Sequence, residues 1–437
     1  MSKQAGINWG NICERVDTCA LTGAAAFVAG IPGTEILVNG PLWCYFYALR
    51  YLEHSDYGMA QRFHGSQPDN TAVVYGSEKY ILEALARLQR QGRQPELLFV
   101  ESSCSMSLIG DDLNGIVAKA GLPCPYVTMD CGGLLGGFVE GYTKAALTVL
   151  EKFLSRNDEP SKNTVNILGQ TDFYLHGRDD TRELVRLLQR AGYKVQAVPG
   201  GGTPLEQLQH VGRAQLNIVT NEELGLPLAK YLEQQLGTPY LLAGLPYGVQ
   251  GTKAWLEQIA QAMPVPSLYK VQEEAEATQA FLTSWLNDAR CQWGSLWYDK
   301  VIVSAPPTQS LCLAEALRQE FVDTAELIVL CQGSMPKTRT AAYCSVADNI
   351  HVAHEEAFDW SSLKTDAGQL LLLGSSSESS LLYRQGRSFG GFNIAYPANE
   401  EVYLTEQPLV GLTGSKQLCQ KLWNDYIRQC LRKQGRV

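Results

Sequence analysis

Leu97-Leu98-Phe99-Val100, running into Glu101-Ser102-Ser103-Cys104, is the stretch that decides the fold. Four consecutive apolar residues bounded by polar ones read as a strand buried on both faces. The segment ahead of it, residues 80–91, puts Ile81, Leu85 and Leu88 on one helical face. A helix feeding a buried strand is the repeating unit of a parallel sheet, and ligands of such sheets sit beyond the C-terminal strand ends. Cys104 falls at such an end.

Working outward, the unit recurs. Residues 165–168 read as a strand, followed by a helix carrying Leu184, Leu187 and Leu188 that Gly192 stops. Residues 216–219 are a strand and 226–236 a helix; 301–303 are a strand and 311–321 a helix; 327–330 and 370–373 are two further strands. The pattern predicts an α/β chain of three Rossmann-like domains, each a parallel sheet covered by helices. A polar, Pro-containing stretch at 155–161 makes a linker, and 271–288 reads as a helix crossing between domains. The expected domains are 1–157, 162–270 and 271–437. The other strand ends where ligands would gather are Gly169-Gln170, Thr220-Asn221, Ser304-Ala305, Cys331-Gln332 and Gly374-Ser375.

The chain has 437 residues, of which 45% are hydrophobic and 19% charged, and a net charge of −9. That balance suits a large globular core and argues against a nucleic-acid or anionic-membrane partner held by bulk electrostatics. The start, MSKQAGINWGN, lacks a basic-then-apolar signal, and no apolar run approaches the roughly 20 residues a bilayer needs. A soluble, cytoplasmic protein is expected. In that compartment the 12 cysteines do not suit a disulfide framework.

Three cysteines stand apart. Cys19 sits in Asp17-Thr18-Cys19-Ala20-Leu21-Thr22-Gly23, Cys44 in Asn39-Gly40-Pro41-Leu42-Trp43-Cys44, and Cys104 just ahead of Ser105-Met106-Ser107. They are 25 and 60 residues apart, each beside glycines or small polar residues. Three thiolates with one position left open suit a [4Fe–4S] cluster whose fourth ligand comes from elsewhere. The spacing lacks a tight CxxC, so on composition alone the reading as three buried structural cysteines wins.

Longer motifs favour the first reading. Asn39-Gly40-Pro41 with Cys44 resembles the His-Gly-Pro…Cys motif of the nitrogenase component 1 family, with Asn39 in place of the histidine. Val74-Tyr75-Gly76-Ser77-Glu78-Lys79 resembles its Val-Phe-Gly-Gly-x-x-Lys turn. Cys104 followed by Ile109-Gly110-Asp111-Asp112 is similar to its cysteine with Ile-Gly-Asp-Asp. Leu245-Pro246-Tyr247-Gly248-Val249 with Thr252, and Ile394-Ala395-Tyr396-Pro397 with Gly411-Leu412-Thr413-Gly414, resemble its later signatures. The resemblance covers nearly the whole chain.

That family includes the molybdenum–iron protein, the scaffold on which its cofactor is built, and dark-operative protochlorophyllide reductase subunits. The resemblance implies that Cys19, Cys44 and Cys104 are cluster ligands, with Cys13 an alternative to Cys19. True nitrogenase carries a further cysteine where this chain reads Arg62-Phe63-His64-Gly65. The smaller [4Fe–4S] cluster is therefore implied, with His64 an unusual additional candidate. The cysteine and histidine that anchor the nitrogenase cofactor match positions near Asn221 and Glu401, so N2 reduction at this subunit is not expected.

The implied partners are a related component 1-type subunit or a second copy of the chain, an ATP-dependent iron protein that delivers electrons, and a small-molecule substrate or metallocofactor. No G-x-x-x-x-G-K-[ST] loop is present, which fits ATP hydrolysis on another chain. The implied activity is electron transfer to a substrate between domains. The alternatives are a scaffold for a nitrogenase-type metallocofactor and a relative with inert cysteines.

Other motifs have plainer readings. Asp111 and Asp112 suit helix capping. Cys131 with its following glycines suits close packing or subunit contact, and residues 199–203 suit a turn before a helix. His351 and His354 could hold a metal but fit a solvated loop, and Cys331 and Cys344 fit structural roles.

Overall fold

The computed structural model describes residues 18–55, 58–132, 136–333, 346–352, 358–363 and 368–435. Among them are three sheets whose ladders are all parallel. The first holds β1 (Thr34–Asn39), β2 (Phe63–Gly65), β3 (Leu97–Ser102) and β4 (Tyr126–Asp130) in the order β2-β1-β3-β4. The second holds β5 (Thr164–Leu168), β6 (Lys194–Ala197), β7 (Leu216–Val219) and β8 (Tyr240–Leu242) in the order β6-β5-β7-β8. The third holds β9 (Trp297–Ala305), β10 (Asp323–Cys331), β11 (Asn349–Val352), β12 (Leu370–Gly374) and β13 (Gly390–Asn393) in the order β11-β10-β9-β12-β13.

Strand side chains alternate between faces, so a run of apolar residues feeds two cores at once. Ile36, Val38, Leu97 and Phe99 enter one core, while Leu37, Leu98 and Val100 enter another on the opposite face. The third sheet divides the same way, Val301 and Val303 against Ile302. In the second sheet Val165, Ile167, Leu216 and Ile218 share a core with the third sheet, whereas Leu168 and Val219 share one with the first. Each fully buried Leu, Ile or Val contributes roughly 1.5–3 kcal/mol.

The helices depart from expectation at their edges. The expected 80–91 helix runs Glu78–Arg90. Gly192 ends the Gly177–Ala191 helix in the left-handed region, φ 102°, as a C-terminal glycine does. The expected 311–321 helix begins at Pro307 and closes in a wider turn over Leu317–Phe321. The long crossing helix is Tyr269–Trp285 with a second, Asn287–Trp293, behind it.

Two of the later motifs prove to be joints. Gly411 opens the Gly411–Lys433 helix at φ 74°, where a Cβ would meet the Glu183 side chain at 2.6 Å. Glu183 accepts from Thr413 N at 3.0 Å and Thr413 Oγ1 at 3.1 Å, and Asp180 accepts from Leu409 N at 2.6 Å. Carboxylates of one helix thus cap the next through its exposed N–H groups. Gly248 starts the Val249–Ala262 helix, whose Val249 and Gly251 amides donate to Glu320.

Candidate functional site

Cys19 immediately precedes the Ala20–Ala29 helix, Cys44 is the third residue of Leu42–Leu49, and Cys104 is the first of Cys104–Ile109. The last two helices follow directly on β1 and β3, neighbours in the sheet. All three thiols thus sit in the first turn or at the cap of a helix. Cys19 and Cys104 are exposed and Cys44 is half-buried.

The thiols sense one another. Burial pushes the Cys44 thiol up; Cys19 adds to that, the Ser103 hydroxyl opposes it, and Cys104 and Glu101 add further. Mutual repulsion among thiolates is relieved by a shared cation. Among the described residues no three His, Cys, Asp or Glu side chains converge on a single ion.

Backbone comes close around them. A Cβ on Gly132 would meet Ser107 Oγ at 2.7 Å and Cys104 Cα at 3.2 Å, and one on Gly40 would meet Ser103 Oγ at 2.5 Å. Cys19 pairs with Gly137 in an isolated antiparallel bridge, and Ala20 N donates to Gly136 O. The described part of the glycine stretch after Cys131 is thus packed against the thiol site.

Polar groups beside the thiols pair with one another. Asn39 donates to Ser77 Oγ (2.8 Å) and Ser102 Oγ (3.1 Å) and accepts from Ser66 Oγ (2.8 Å). Asp111 accepts from Ser77 N and Oγ, both at 2.6 Å. Asp111 therefore caps the preceding Glu78–Arg90 helix, while Asp112 caps its own through Gly115 N. Glu101, buried beneath, is pushed well above the carboxylate range by desolvation. Around the thiols the surface is apolar: Leu42, Trp43, Phe46 and Tyr47 on the Cys44 helix and Leu108 on the Cys104 helix are exposed, Trp43 by 70%.

His64 Nε2 lies 2.5 Å from Glu35, which Arg93 also holds at 2.6 Å. Glu35 is the second residue of β1, at the strand end away from the thiols, and it engages the ring that the sequence left open as a ligand. Cys13, His354 and Cys344 lie outside the described residues. Cys331 is buried beside Ser310, and His351 packs edge-on to Phe358.

At the other strand ends that the sequence singles out, side chains of the chain bond one another. Gln170 bonds Thr220 and Thr181, and Ser304 and Gln332 both bond Glu378. Asn221 donates to Gly169 O at 2.7 Å. Glu401 accepts from Asn393 N and from Tyr403 Oη, with Lys421 at 3.7 Å.

Glu401 lines a cavity of about 640 Å³, formed where the start of the Gly177–Ala191 helix meets residues 396–406. Tyr51 and Tyr396 stack in its wall at 4.8 Å and 8°. His176 also lines it, buried, with its ring edge-on to Tyr403 at 4.9 Å. Sequence reasoning did not single out His176. Its only local signal is a histidine before the glycine that opens a helix, and the cavity comes from segments more than 200 residues apart.

Parallel α/β sheets with thiols at the strand ends of one of them fit a metal-sulfur class of oxidoreductase. The nitrogenase component 1 type oxidoreductase family model matches residues 19–426, and the chain belongs to that family. It is 24% identical over 390 residues to a subunit of the light-independent protochlorophyllide reductase of Synechococcus sp. (strain JA-3-3Ab), covering 82% of this chain and 72% of the relative. The corresponding polypeptide of Chloroflexus aurantiacus (strain ATCC 29364 / DSM 637 / Y-400-fl) is 32% identical over 211 residues, 45% of this chain and 38% of the relative. A solved structure, "Nitrogenase Cp1 at pH 6.5", shares the fold with a TM-score of 0.76 at 17% identity, covering 99% of this chain and 95% of that one. The chain is thus a nitrogenase-like oxidoreductase component. No described helix is long and apolar enough to cross a membrane.

Proposed function

We propose that this chain carries a [4Fe–4S] cluster on Cys19, Cys44 and Cys104 and passes electrons from an ATP-dependent iron protein to a substrate in the tyrosine-lined cavity. The reading rests on one observation above the rest: three thiols at three helix starts, with Cys44 electrostatically coupled to both others. The cluster, when bound, takes up and releases single electrons.

Helix N–H groups and the Ser103 hydroxyl hold the thiolates, and Gly40 and Gly132 leave room beside them. A related component 1-type subunit, or a second copy of the chain, covers Trp43, Phe46 and Leu108 and supplies the fourth ligand. An exposed apolar rim of this kind fits a protein interface. The Cys44 helix leads on to Tyr51, which stacks on Tyr396 in the cavity wall. A short stretch of chain therefore joins the cluster site to the substrate site.

Within the cavity the flat Tyr51–Tyr396 face suits a planar conjugated substrate of the kind protochlorophyllide represents. At its edge the Tyr403 hydroxyl donates to Glu401 at 2.8 Å. N2 is not the substrate at this subunit: Asn221 and Glu401 supply neither thiolate nor imidazole, and both are engaged by backbone groups. The assembly works in the cytoplasm.

Anaerobic iron and acid-labile sulfide content, with EPR after reduction, tests this for wild type and Cys104→Ala. About four irons per cluster, lost in the variant, are expected. Absence of iron in wild type, even after reconstitution with a partner subunit, sinks the electron-transfer reading.

A further inference from the structure

His176 is buried, strained and unsatisfied at once. Its backbone sits in the left-handed region, φ 65° and ψ 0°, a conformation unfavourable for a residue with a Cβ. The ring bonds the backbone of Asn393 in a way that favours the protonated ring, so the ring N–H donates to the carbonyl. Nε2 is sealed from water and has no hydrogen-bond partner. With Nε2 unpartnered, we assign the Asn393 interaction to Nδ1, which leaves the lone pair on Nε2.

Burial, then the charge of Lys421, push this histidine down to about 3, so the ring is neutral across the working range. A neutral imidazole whose Nδ1–H is tied to a carbonyl is how proteins present histidine to a metal. No cluster of three His, Cys, Asp or Glu stands around it among the described residues, so a bare ion would lack a ligand set. A metal meeting Nε2 must bring its other ligands with it. Tyr51 and Tyr396, stacked on each other in the same cavity wall, make that wall aromatic, which suits a planar ring system as the carrier of those ligands.

We propose that His176 Nε2 is the axial ligand to a metal carried by the substrate, a metallated conjugated macrocycle. This rests on reading the cavity as the substrate site and adds the residue that selects for the metal. The step is a ligand exchange: the Nε2 lone pair forms a metal–nitrogen bond and an axial water leaves, with no electron or proton moved. Because Nε2 is sealed, the Tyr403 ring, edge-on to the imidazole at 4.9 Å, must be displaced as the macrocycle seats.

Ferric protoporphyrin IX and metal-free protoporphyrin IX are the probes, titrated into the anaerobic full-length chain and read by absorption and EPR. The iron form should bind wild type with the signature of imidazole ligation. His176→Gln should weaken it by about tenfold or more and erase that signature, while metal-free binding stays unchanged. In His176→Ala, added imidazole should restore the signature. Equal binding of both probes to wild type and His176→Gln overturns the ligation and leaves the cavity reading intact. Tyr396→Ala tests that reading separately: it should weaken both probes, and unchanged binding puts them outside the cavity and overturns both readings. Circular dichroism of each variant separates lost ligation from lost fold.

Discussion

The thiol site and the tyrosine-lined cavity are built on opposite principles. Beside the thiols, Asn39, Ser66, Ser77, Ser102 and Asp111 form one closed hydrogen-bond network. The cysteines stand outside it, two of them exposed. In the cavity the functional candidate is embedded in the fold, and His176 carries both backbone strain and a missing hydrogen bond. The first site should therefore lose function without losing structure. The second trades some stability for the group it presents.

The largest effect should separate ligand cysteines from structural ones. Cys44→Ala should remove all cluster iron while thermal unfolding shifts by only a few degrees, because Cys44 is half-buried and outside the hydrogen-bond network. Cys131→Ala should do the reverse. Its thiol is fully buried, so truncation should cost about 1 kcal/mol and leave iron content intact. Iron retained in Cys44→Ala, or lost in a folded Cys131→Ala, breaks the division between the two kinds of cysteine.

Next comes the frame that holds the cavity. Glu183 is buried, caps the Gly411–Lys433 helix through Thr413 and is held by Arg186 at 2.7 Å. Glu183→Ala leaves two donors without a partner and should cost about 3 kcal/mol, read from chemical denaturation. The ferric probe should then bind more weakly, since residues 396–406 lead directly into that helix. A loss under about 1 kcal/mol would mean that the helix does not depend on this cap.

Asp180 sets a smaller, pH-dependent effect. Burial first, then Asp179 and Glu183, push it up to about 7 against the bonds from Leu409 and Val410. A carboxyl raised on folding stabilises fully below its unfolded value, near 3.8. That contribution is lost as pH rises through about 7. Unfolding free energy should therefore fall between about pH 4 and 7, by at most about 1.4 kcal/mol per pH unit, and level off above that. Asp180→Asn, which can still accept both amides, should flatten the profile. An unchanged slope in the variant assigns the effect to another group.

The sequence made the three sheets legible through their central strands, because runs such as Leu97–Val100 and Leu370–Leu373 are buried on both faces and need no polar alternation. It hid the short edge strands. Lys194–Ala197 and Gly390–Asn393 contain exposed or glycine positions that break any apolar run. It hid β1 as well, where Glu35 and Asn39 interrupt the hydrophobic signal yet are buried by specific partners. Cys104 could be placed at a strand end from the sequence, whereas Cys19 and Cys44 were singled out only by motif resemblance. His176 was not legible, because its meaning depends on a left-handed backbone angle and on walls contributed by Tyr51, Tyr396 and Tyr403, which no local pattern brings together.

The smallest effect is the most pointed. A buried histidine packed on an aromatic ring would ordinarily cost several kcal/mol to replace. Here asparagine relieves part of the left-handed penalty and removes the unpaired Nε2, each worth about 1–2 kcal/mol, while losing the edge contact with Tyr403. These terms nearly offset, so His176→Asn should unfold within about 1 kcal/mol of wild type. Its affinity for the ferric probe should nonetheless fall as far as that of His176→Gln. A loss of several kcal/mol would instead make His176 an ordinary core residue, and the contrast between an embedded ligand and detachable thiols would collapse.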